Sequence, residues 1–286
     1  MEYSVFCGIL TKQIFENSKR DLIEKIAEYP DRYIGLFRPT KPRAKLLQNL
    51  LQSNEIRFGD ALELVFKQYF EELGYKLLEN KIHSGNDELN LDQIFRDSEF
   101  VYFAEQKVRD DHDSTKKRGQ MENFEKKIEA LLDSFSEKEL KCFTYFIDPS
   151  LVKNKNYYLE KLQTIRVNYN VSAELCYGKE FWSLINHPEI WDELLTHLRK
   201  WKDEIPEMPS INFDENAQNT FDEIKNHKTI IFRKLFENVE VVENIFPILF
   251  PQNKVLRLLM DYFKQKSKEK TIYKNLAEML DKIIHH

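Results

Sequence analysis

Two apolar runs joined by a short polar turn are the sequence feature that most limits how this chain can fold. The first run is Leu91–Phe95, the second is Phe100–Ala104, and residues 96–98 lie between them. Apolar runs of this length, bounded by turn residues, are typical of buried strands. The pattern therefore predicts a β-hairpin in the core of the protein.

Charged residues are placed at matching ends of this hairpin. Asp92 opens the first run, and Glu105 and Lys107 follow the second. Because successive side chains of a strand alternate between its faces, Glu105 and Lys107 point to the same side. Asp92 would lie opposite the end that carries Glu105. Two carboxylates and one ammonium group then converge, and such oxygens suit hard cations such as Mg²⁺, which retain waters able to attack phosphate.

This arrangement resembles the PD-(D/E)xK nuclease superfamily, in which an acid at the start of a hairpin precedes (D/E)-x-K at the end of the next strand. The matching residues are Asp92, Glu105 and Lys107, with Leu91 in place of the proline. Glu-x-Lys alone is a weak signal, because it occurs often on solvated strand and helix faces. The resemblance implies that Asp92 and Glu105 bind one or two Mg²⁺ ions and that Lys107 assists the attacking water.

Two helices are expected to flank the hairpin in the sequence. The first runs from Arg57 to about Leu73 and carries Glu63, which the resemblance makes an auxiliary catalytic residue; alternatively, Glu63 is only a favourable acid near a helix N-terminus. The second runs from Ser114 to Asp133, with Asp113 or Ser114 as its cap. Its first turn carries three basic residues, Lys116, Lys117 and Arg118. They either bind a DNA phosphate or form an ordinary charged surface exposed to solvent.

Two further strands are predicted after the second helix, at Leu140–Ile147 and Val171–Tyr177. The order of helices and strands is that of the superfamily, so the fold class expected is α/β, a central mixed sheet flanked by helices, with additional N- and C-terminal helices. Phe58-Gly59, the hairpin and Tyr177–Trp182 are together similar to the branch that cuts interrupted GGNCC-like sites. The resemblance covers roughly residues 55–190.

A basic segment precedes this core, although the whole chain of 286 residues has a formal net charge of −5. No acid occurs from Arg32 to Asn54, and Pro39 and Pro42 predict an extended arm before a helix over 44–52. Such an arm can follow a DNA backbone or enter a minor groove; the alternative is a plain surface loop. The DNA-contacting residues expected in this region are Arg38, Lys41, Arg43 and Lys45.

Composition excludes several other classes. No G-x-x-x-x-G-K or G-x-G-x-x-G motif is present, so no nucleotide cofactor is expected. The three cysteines, Cys7, Cys142 and Cys176, do not have the spacing of a zinc site, and their number is odd. Cys142 and Cys176 fall in predicted strands. Without a signal peptide or a membrane-spanning apolar run, we expect a reduced, cytoplasmic protein.

Four segments are expected along the chain: an N-terminal helical region with the basic arm over 1–54, a nuclease core over 55–202, a linker over 203–220 and a C-terminal helical region over 221–286. The last region is rich in large apolar residues, among them Phe232, Leu235 and Phe246. They either fold back onto the core or bury against a second subunit. A homodimer would place one active site on each DNA strand.

The function expected from these features is that of a type II restriction endonuclease, which makes Mg²⁺-dependent double-strand breaks at a short DNA sequence and leaves 5′-phosphate and 3′-hydroxyl ends. A cognate DNA methyltransferase is the expected functional partner. The alternatives are a repair or junction-resolving nuclease with the same core, and a DNA-binding protein that has kept the core without catalysis.

Overall fold

The predicted hairpin forms in the computed structural model, which describes residues 1–85, 87–108, 114–135 and 139–285, with the side chains of 114 and 115 excepted. Strand β4, Gln93–Arg96, pairs antiparallel with β5, Phe100–Lys107. The carboxylate of Asp97 closes the turn by accepting hydrogen bonds from the backbone N–H groups of Glu99 and Phe100, at 2.8 and 2.7 Å. This side chain stabilises the tight turn by satisfying its backbone donors.

The helices within the described residues are α1 (Tyr3–Phe15), α2 (Ser18–Glu28), α3 (Asp31–Ile34), α4 (Pro42–Glu72), α5 (Ser114–Ser134), α6 (Lys155–Tyr169), α7 (Lys179–Leu184), α8 (Glu189–Glu204), α9 (Ala217–Ile224), α10 (Thr229–Glu237), α11 (Val239–Asn244), α12 (Phe246–Leu249), α13 (Lys254–Lys266) and α14 (Thr271–His285). The other strands are β1 (Lys76–Leu77), β2 (Lys81–Ser84), β3 (Asp87–Asn90), β6 (Glu139–Phe146) and β7 (Ser172–Tyr177). The predicted strands at 140–147 and 171–177 and the predicted helix at 114–133 are therefore confirmed.

The central sheet has the strand order β1-β4-β5-β6-β7 in the described part of the chain. Strand β4 is antiparallel to β1 and β5, whereas β5, β6 and β7 are parallel. Parallel neighbours need a crossover connection, and α5 and α6 supply the two that are required. Because β4 and β5 are antiparallel, the start of β4 and the end of β5 lie next to each other at one edge of the sheet, where these strand ends meet.

Helices cover both faces of this sheet. On one face Phe70 of α4 stacks on Phe95 with ring centroids 3.9 Å apart. On the other face Phe124 of α5 stacks on Phe103 at 5.2 Å. Burial of such rings removes large apolar areas from water, and truncating one to alanine costs about 3–5 kcal/mol. The α/β fold class predicted from the sequence, a mixed sheet flanked by helices, is confirmed.

The chain divides into two compact units. The first comprises Met1–Leu10 and Phe58–Ile205, and it contains the sheet. The second comprises Thr11–Arg57 and Pro206–His286. Each unit combines segments that are far apart in the sequence but pack together. The four consecutive segments expected from the sequence therefore remain a prediction.

Helix α4 corrects two expectations about the region before the core. The sequence suggested an extended arm up to Arg43 and separate helices at 44–52 and 57–73, but one helix begins at Pro42 and ends at Glu72. Proline is well suited to the first helical turn, because its missing N–H has no helical partner there. Arg43 and Lys45 are therefore helical. The helix ends one residue before the predicted Leu73, and Gly74, with φ of +85°, follows its end.

The apolar C-terminal helices have their own hydrophobic core in the second unit. Phe232, Leu235, Phe246 and Leu249 are buried there, packed with residues of α2 such as Ile23. The sequence suggested burial against the nuclease core or against a second subunit, but these side chains are covered by α2 and by one another. These buried side chains therefore stabilise the second unit itself, and a role of the C-terminal helices in a dimer contact stays a prediction.

The segment 205–216 lacks helix and strand yet is anchored in the second unit. Phe213 is buried, and the carboxylate of Asp214, only 1% exposed, accepts hydrogen bonds from the backbone N–H groups of Gln252 and Val255, at 2.8 and 2.9 Å. Val255 lies in the first turn of α13, whose N–H groups have no partner within the helix, and Gln252 lies just before that helix. Among the described residues, no helix has the length and apolar character needed to span a membrane.

Candidate active site

Asp92 lies immediately before β4, where its side chain continues the pairing of the hairpin. Gln93, the first residue of β4, pairs with Ala104. Beyond that pair the Oδ2 atom of Asp92 accepts a hydrogen bond from the backbone N–H of Gln106 at 2.8 Å. This bond holds the carboxylate beside Glu105 and Lys107, as the sequence predicted.

Glu105 is held between two lysine side chains. The Nζ atom of Lys107 lies 2.8 Å from Oε1 of Glu105, and Nζ of Lys127 lies 2.6 Å from Oε2. Glu105 and Lys127 are only 8% and 4% exposed. A charge buried to this extent is stable only when it is paired and hydrogen-bonded. Each carboxylate oxygen of Glu105 therefore has its own cationic donor.

Lys127 was not predicted from the sequence. It lies on α5 three residues after Phe124 and four before Leu131, both of which are buried. Helical spacing therefore places it on the face of α5 that covers the sheet. A lysine at a position where the periodicity demands an apolar residue was the signal that could have identified it.

The pKa values of the carboxyl groups reflect burial and their mutual repulsion. Burial, and then the negative charge of Glu105, raise the pKa of Asp92 to about 6. Burial and the charge of Asp92 raise the pKa of Glu63 to about 7. Burial alone would raise the pKa of Glu105, but the charges and hydrogen bonds of Lys107 and Lys127 outweigh it and hold that pKa below its usual value.

Two glutamine side chains, Gln93 and Gln106, connect the backbone of Glu63 to the hairpin. The side-chain amide of Gln93 donates to the backbone carbonyl of Glu63 at 2.9 Å and to Oε1 of Gln106 at 3.0 Å. Gln93 is almost completely buried, so these bonds tie α4 to the hairpin where solvent cannot compete. The side chain of Glu63 is half-buried and feels the charges of Asp92 and Glu105. The structure thus brings Glu63 into the electrostatic environment of the other two acids.

The donor set fits a hard divalent cation in its chemistry. Within the described ranges no three His, Cys, Asp or Glu side chains form a ready metal-binding group. Glu63, Asp92 and Glu105 nevertheless supply carboxylate oxygens, and burial together with repulsion among these groups raises the pKa of Asp92 and of Glu63. A bound cation relieves this kind of repulsion, and Mg²⁺ favours carboxylates together with water. Asp113, one of the two residues expected to cap α5, lies outside the described residues.

The basic residues expected to contact DNA fall in both units. In the second unit, Arg38, Lys41 and Arg43 are exposed, and Lys45 donates to Oε1 of Gln48 at 2.9 Å. In the first unit, Lys116 and Arg118 are exposed in the first turn of α5.

Lys117 differs from its two neighbours on α5. Its Nζ atom donates to Oδ1 of Asn154 at 2.7 Å and lies 5.1 Å from the ring centroid of Tyr157. Lys117 therefore joins α5 to the start of α6, so part of its hydrogen-bonding capacity is already used.

A comparison with known families finds a match within this fold. Residues 66–202, just under half of the chain, match the family model described as "Type II restriction endonuclease, HinfI". No curated protein and no solved structure matches the chain significantly. The matched segment contains Asp92, Glu105, Lys107 and Lys127, whereas Glu63 precedes it. Similarity to type II restriction endonucleases over the segment that carries this site indicates that the protein is an enzyme, a type II site-specific deoxyribonuclease.

Proposed function

We propose that the protein makes Mg²⁺-dependent double-strand breaks at a specific short DNA sequence, leaving 5′-phosphate and 3′-hydroxyl ends. The observation that supports this most is the grouping of Asp92, Glu105 and Lys107 at one edge of the sheet, within a segment similar to type II restriction endonucleases. Phosphodiester hydrolysis needs an oriented water, a stabilised leaving oxygen and neutralisation of phosphate charge. The acids and lysines at this edge can meet each of these needs.

Each side chain has a separate task in this proposal. Asp92 and Glu105 hold one or two Mg²⁺ ions, which supply Lewis acidity toward the phosphate and lower the pKa of water. Lys107 orients the attacking water and neutralises charge that develops on the phosphate. Glu63 adds an outer contact from α4. Lys127 holds Glu105 ionised and in one orientation, because its ammonium group is buried against Oε2 of that carboxylate.

The basic residues would bind the DNA backbone. Lys116 and Arg118 would grip a phosphate near the start of α5, and Lys117 would assist while it remains tied to Asn154. Arg38, Lys41, Arg43 and Lys45 would contact phosphates from the second unit. Contacts of this kind add affinity that weakens with salt and carry no sequence information.

A double-strand cut also requires two active sites. We propose a homodimer, because one such site cuts one strand at a time and two-fold symmetry places two sites on opposite strands. Many apolar side chains of α10–α14 are buried within the chain, so a dimer contact on these helices would use their outer faces. A cytoplasmic location and a cognate methyltransferase that protects the host DNA belong to the same proposal.

The recognition sequence is proposed only as a short palindrome, continuous or interrupted, of the GGNCC-like kind. The residues behind that resemblance have packing roles: Phe58 stacks on Trp201 with ring centroids 6.0 Å apart, and Trp182 is fully buried. A buried side chain such as Trp182 does not reach base edges, and Phe58 is partly buried against Trp201. These residues therefore support the fold of the branch more than its sequence preference.

Digestion of a sequenced plasmid with Mg²⁺, followed by run-off sequencing of the ends, tests the proposal. Discrete fragments with ends at one sequence are expected, and a preparation of the Asp92→Asn variant serves as the control for contaminating nucleases. Nicks, or cleavage confined to branched DNA, would instead indicate a repair or junction-resolving nuclease. Absence of any metal-dependent cutting would contradict the proposed activity.

A further inference from the structure

Two large apolar side chains stand exposed at the tip of a loop in the second unit. Leu36 is 90% and Phe37 is 97% exposed, in the connection between α3 and α4. Every residue from 36 to 41 in this loop is exposed. Two apolar side chains this exposed bury almost no surface when the chain folds, and exposed apolar groups of this kind are typical of a surface that contacts a partner.

The loop is held in place by its base. Tyr33, only 1% exposed, anchors α3 in the apolar core of the second unit. A side chain at position 35 would meet the carbonyl oxygen of Asp31 at 2.5 Å, so this close turn requires Gly35. The backbone N–H of Arg38 then donates to the carbonyl of Gly35 at 3.2 Å. The backbone therefore turns sharply at the point where it presents Phe37 to solvent.

Positive charge surrounds the apolar tip. Arg38 and Lys41 are exposed on the loop itself, and Arg43 is exposed in the first turn of α4. No acid occurs from Arg32 to Asn54 to offset them. An apolar tip with cationic flanks matches a target that has an anionic surface and apolar groups just behind it. Duplex DNA has this character, because its stacked bases lie behind two rows of phosphates.

We propose that Phe37, supported by Leu36, inserts between base pairs from the minor groove, while Arg38, Lys41 and Arg43 bind the adjacent phosphates. Apolar wedges of this type unstack a base step and bend the duplex. Such insertion adds selectivity for sequences that deform easily, without hydrogen bonds to base edges. The inference rests on the proposed function, since it assumes that the bound macromolecule is duplex DNA.

Because Phe37 is exposed, its replacement can test DNA insertion without disturbing the fold. Because the ring packs against almost nothing in the free protein, Phe37→Ala should leave thermal unfolding unchanged. Val167→Ala, at an exposed apolar residue of α6 (71% exposed), is the matched control. The DNA is a duplex carrying the mapped cleavage site, with 2-aminopurine placed at each position in turn, and Ca²⁺ replaces Mg²⁺ so that binding is measured without cutting.

The wild-type protein and Val167→Ala should raise 2-aminopurine fluorescence at one base step. Phe37→Ala should lose this signal and bind about tenfold more weakly, the usual size for one stacked aromatic ring, with its salt dependence kept. Phe37→Trp should restore the fluorescence. Replacement of Arg38, Lys41 and Arg43 by alanine should instead reduce the salt dependence.

Failure of this inference differs from failure of the proposed function. If the wild-type protein cuts the duplex but Phe37→Ala matches it in affinity and fluorescence, the wedge is refuted and the nuclease stands. If the wild-type protein neither binds nor cuts the duplex, both are refuted. Phe37-dependent sedimentation with phosphatidylserine-containing vesicles, together with unchanged 2-aminopurine fluorescence, would assign the loop to a membrane surface instead.

Discussion

The ammonium group of Lys127 on α5 lies 2.6 Å from Oε2 of Glu105 at the end of β5. Lys107 lies 2.8 Å from the other oxygen, so one buried carboxylate is shared by two cations. This arrangement keeps Glu105 ionised where burial alone would favour its protonation. It also means that Glu105 and Lys127 depend on each other for stability.

Replacement of Lys127 by methionine should therefore alter the pH dependence of cleavage as well as stability. Loss of one cation raises the pKa of Glu105, so the acid limb of kcat/KM against pH should move to higher pH. Breaking a buried ion pair should also lower the free energy of unfolding by about 3 kcal/mol. Lys127→Arg should recover much of the wild-type profile. A lower melting temperature with an unshifted pH profile would assign Lys127 a purely structural role.

Asp92→Asn should lower cleavage by about 100-fold or more, the scale expected when one group that stabilises charge in the transition state is removed. The asparagine side chain keeps an acceptor for the backbone N–H of Gln106, which is the hydrogen bond that holds this position to the hairpin. The fold should therefore persist. Plasmid cleavage and thermal unfolding, measured together, check this, and Glu99→Gln on the exposed hairpin turn is the control.

Glu105→Gln should abolish cleavage to a similar extent, but at a cost in stability. This cost arises because the variant leaves the buried ammonium group of Lys127 without its carboxylate. Undiminished cutting by Glu105→Gln would refute the assignment of the site.

Lys107→Ala should lose cleavage activity while Ca²⁺ binding persists.

Stability in EDTA should increase as the pH falls from about 7 toward 4. The folded-state pKa values of Asp92 and Glu63, about 6 and about 7, exceed their ordinary values of 3.8 and 4.5. In this window the folded state holds protons that the unfolded state has released, so protonation favours folding. Urea unfolding at several pH values measures the effect, and Asp92→Asn should flatten it. A wild-type profile identical to that of Asp92→Asn would contradict the raised pKa of Asp92.

Alanine at Arg38, Lys41 and Arg43 together should weaken DNA binding most at low salt. Each ionic interaction with a phosphate that the substitutions remove should reduce the slope of log K against log salt by roughly 0.9. Gel-shift titrations in Ca²⁺ at several salt concentrations measure this slope. Alanine at Lys264, Lys268 and Lys270, a basic group near the end of α13, provides a charge-matched control. An unchanged slope would show that the loop and α4 do not touch the DNA backbone.

Asp214→Ala should destabilise the second unit by about 3 kcal/mol, because two backbone N–H groups lose a charged acceptor in a buried setting. Asp222→Ala, at a mostly exposed carboxylate of α9, should cost far less. Urea unfolding followed by circular dichroism compares the two variants. Equal losses of unfolding free energy would mean that Asp214 does not support the start of α13.

Local patterns were enough to predict much of the nuclease core. The two apolar runs predicted the hairpin, and the alternation of side chains between the faces of a strand predicted that Glu105 and Lys107 lie on one face. Apolar runs likewise identified β6 and β7, and helical spacing identified α5. These features follow from backbone periodicity, which each short segment carries in its own sequence.

Only the tertiary structure decided which amphipathic faces meet. It brought Lys127 onto Glu105, placed Glu63 where it feels the charges of Asp92 and Glu105, and buried the C-terminal helices against α2 while leaving Phe37 in water. These outcomes depend on contacts between residues far apart in the chain, and such contacts are chosen by the packing of the whole core. Periodicity shows that a face will be buried, but the partner that covers it, and the charge a buried lysine meets there, are set by the fold.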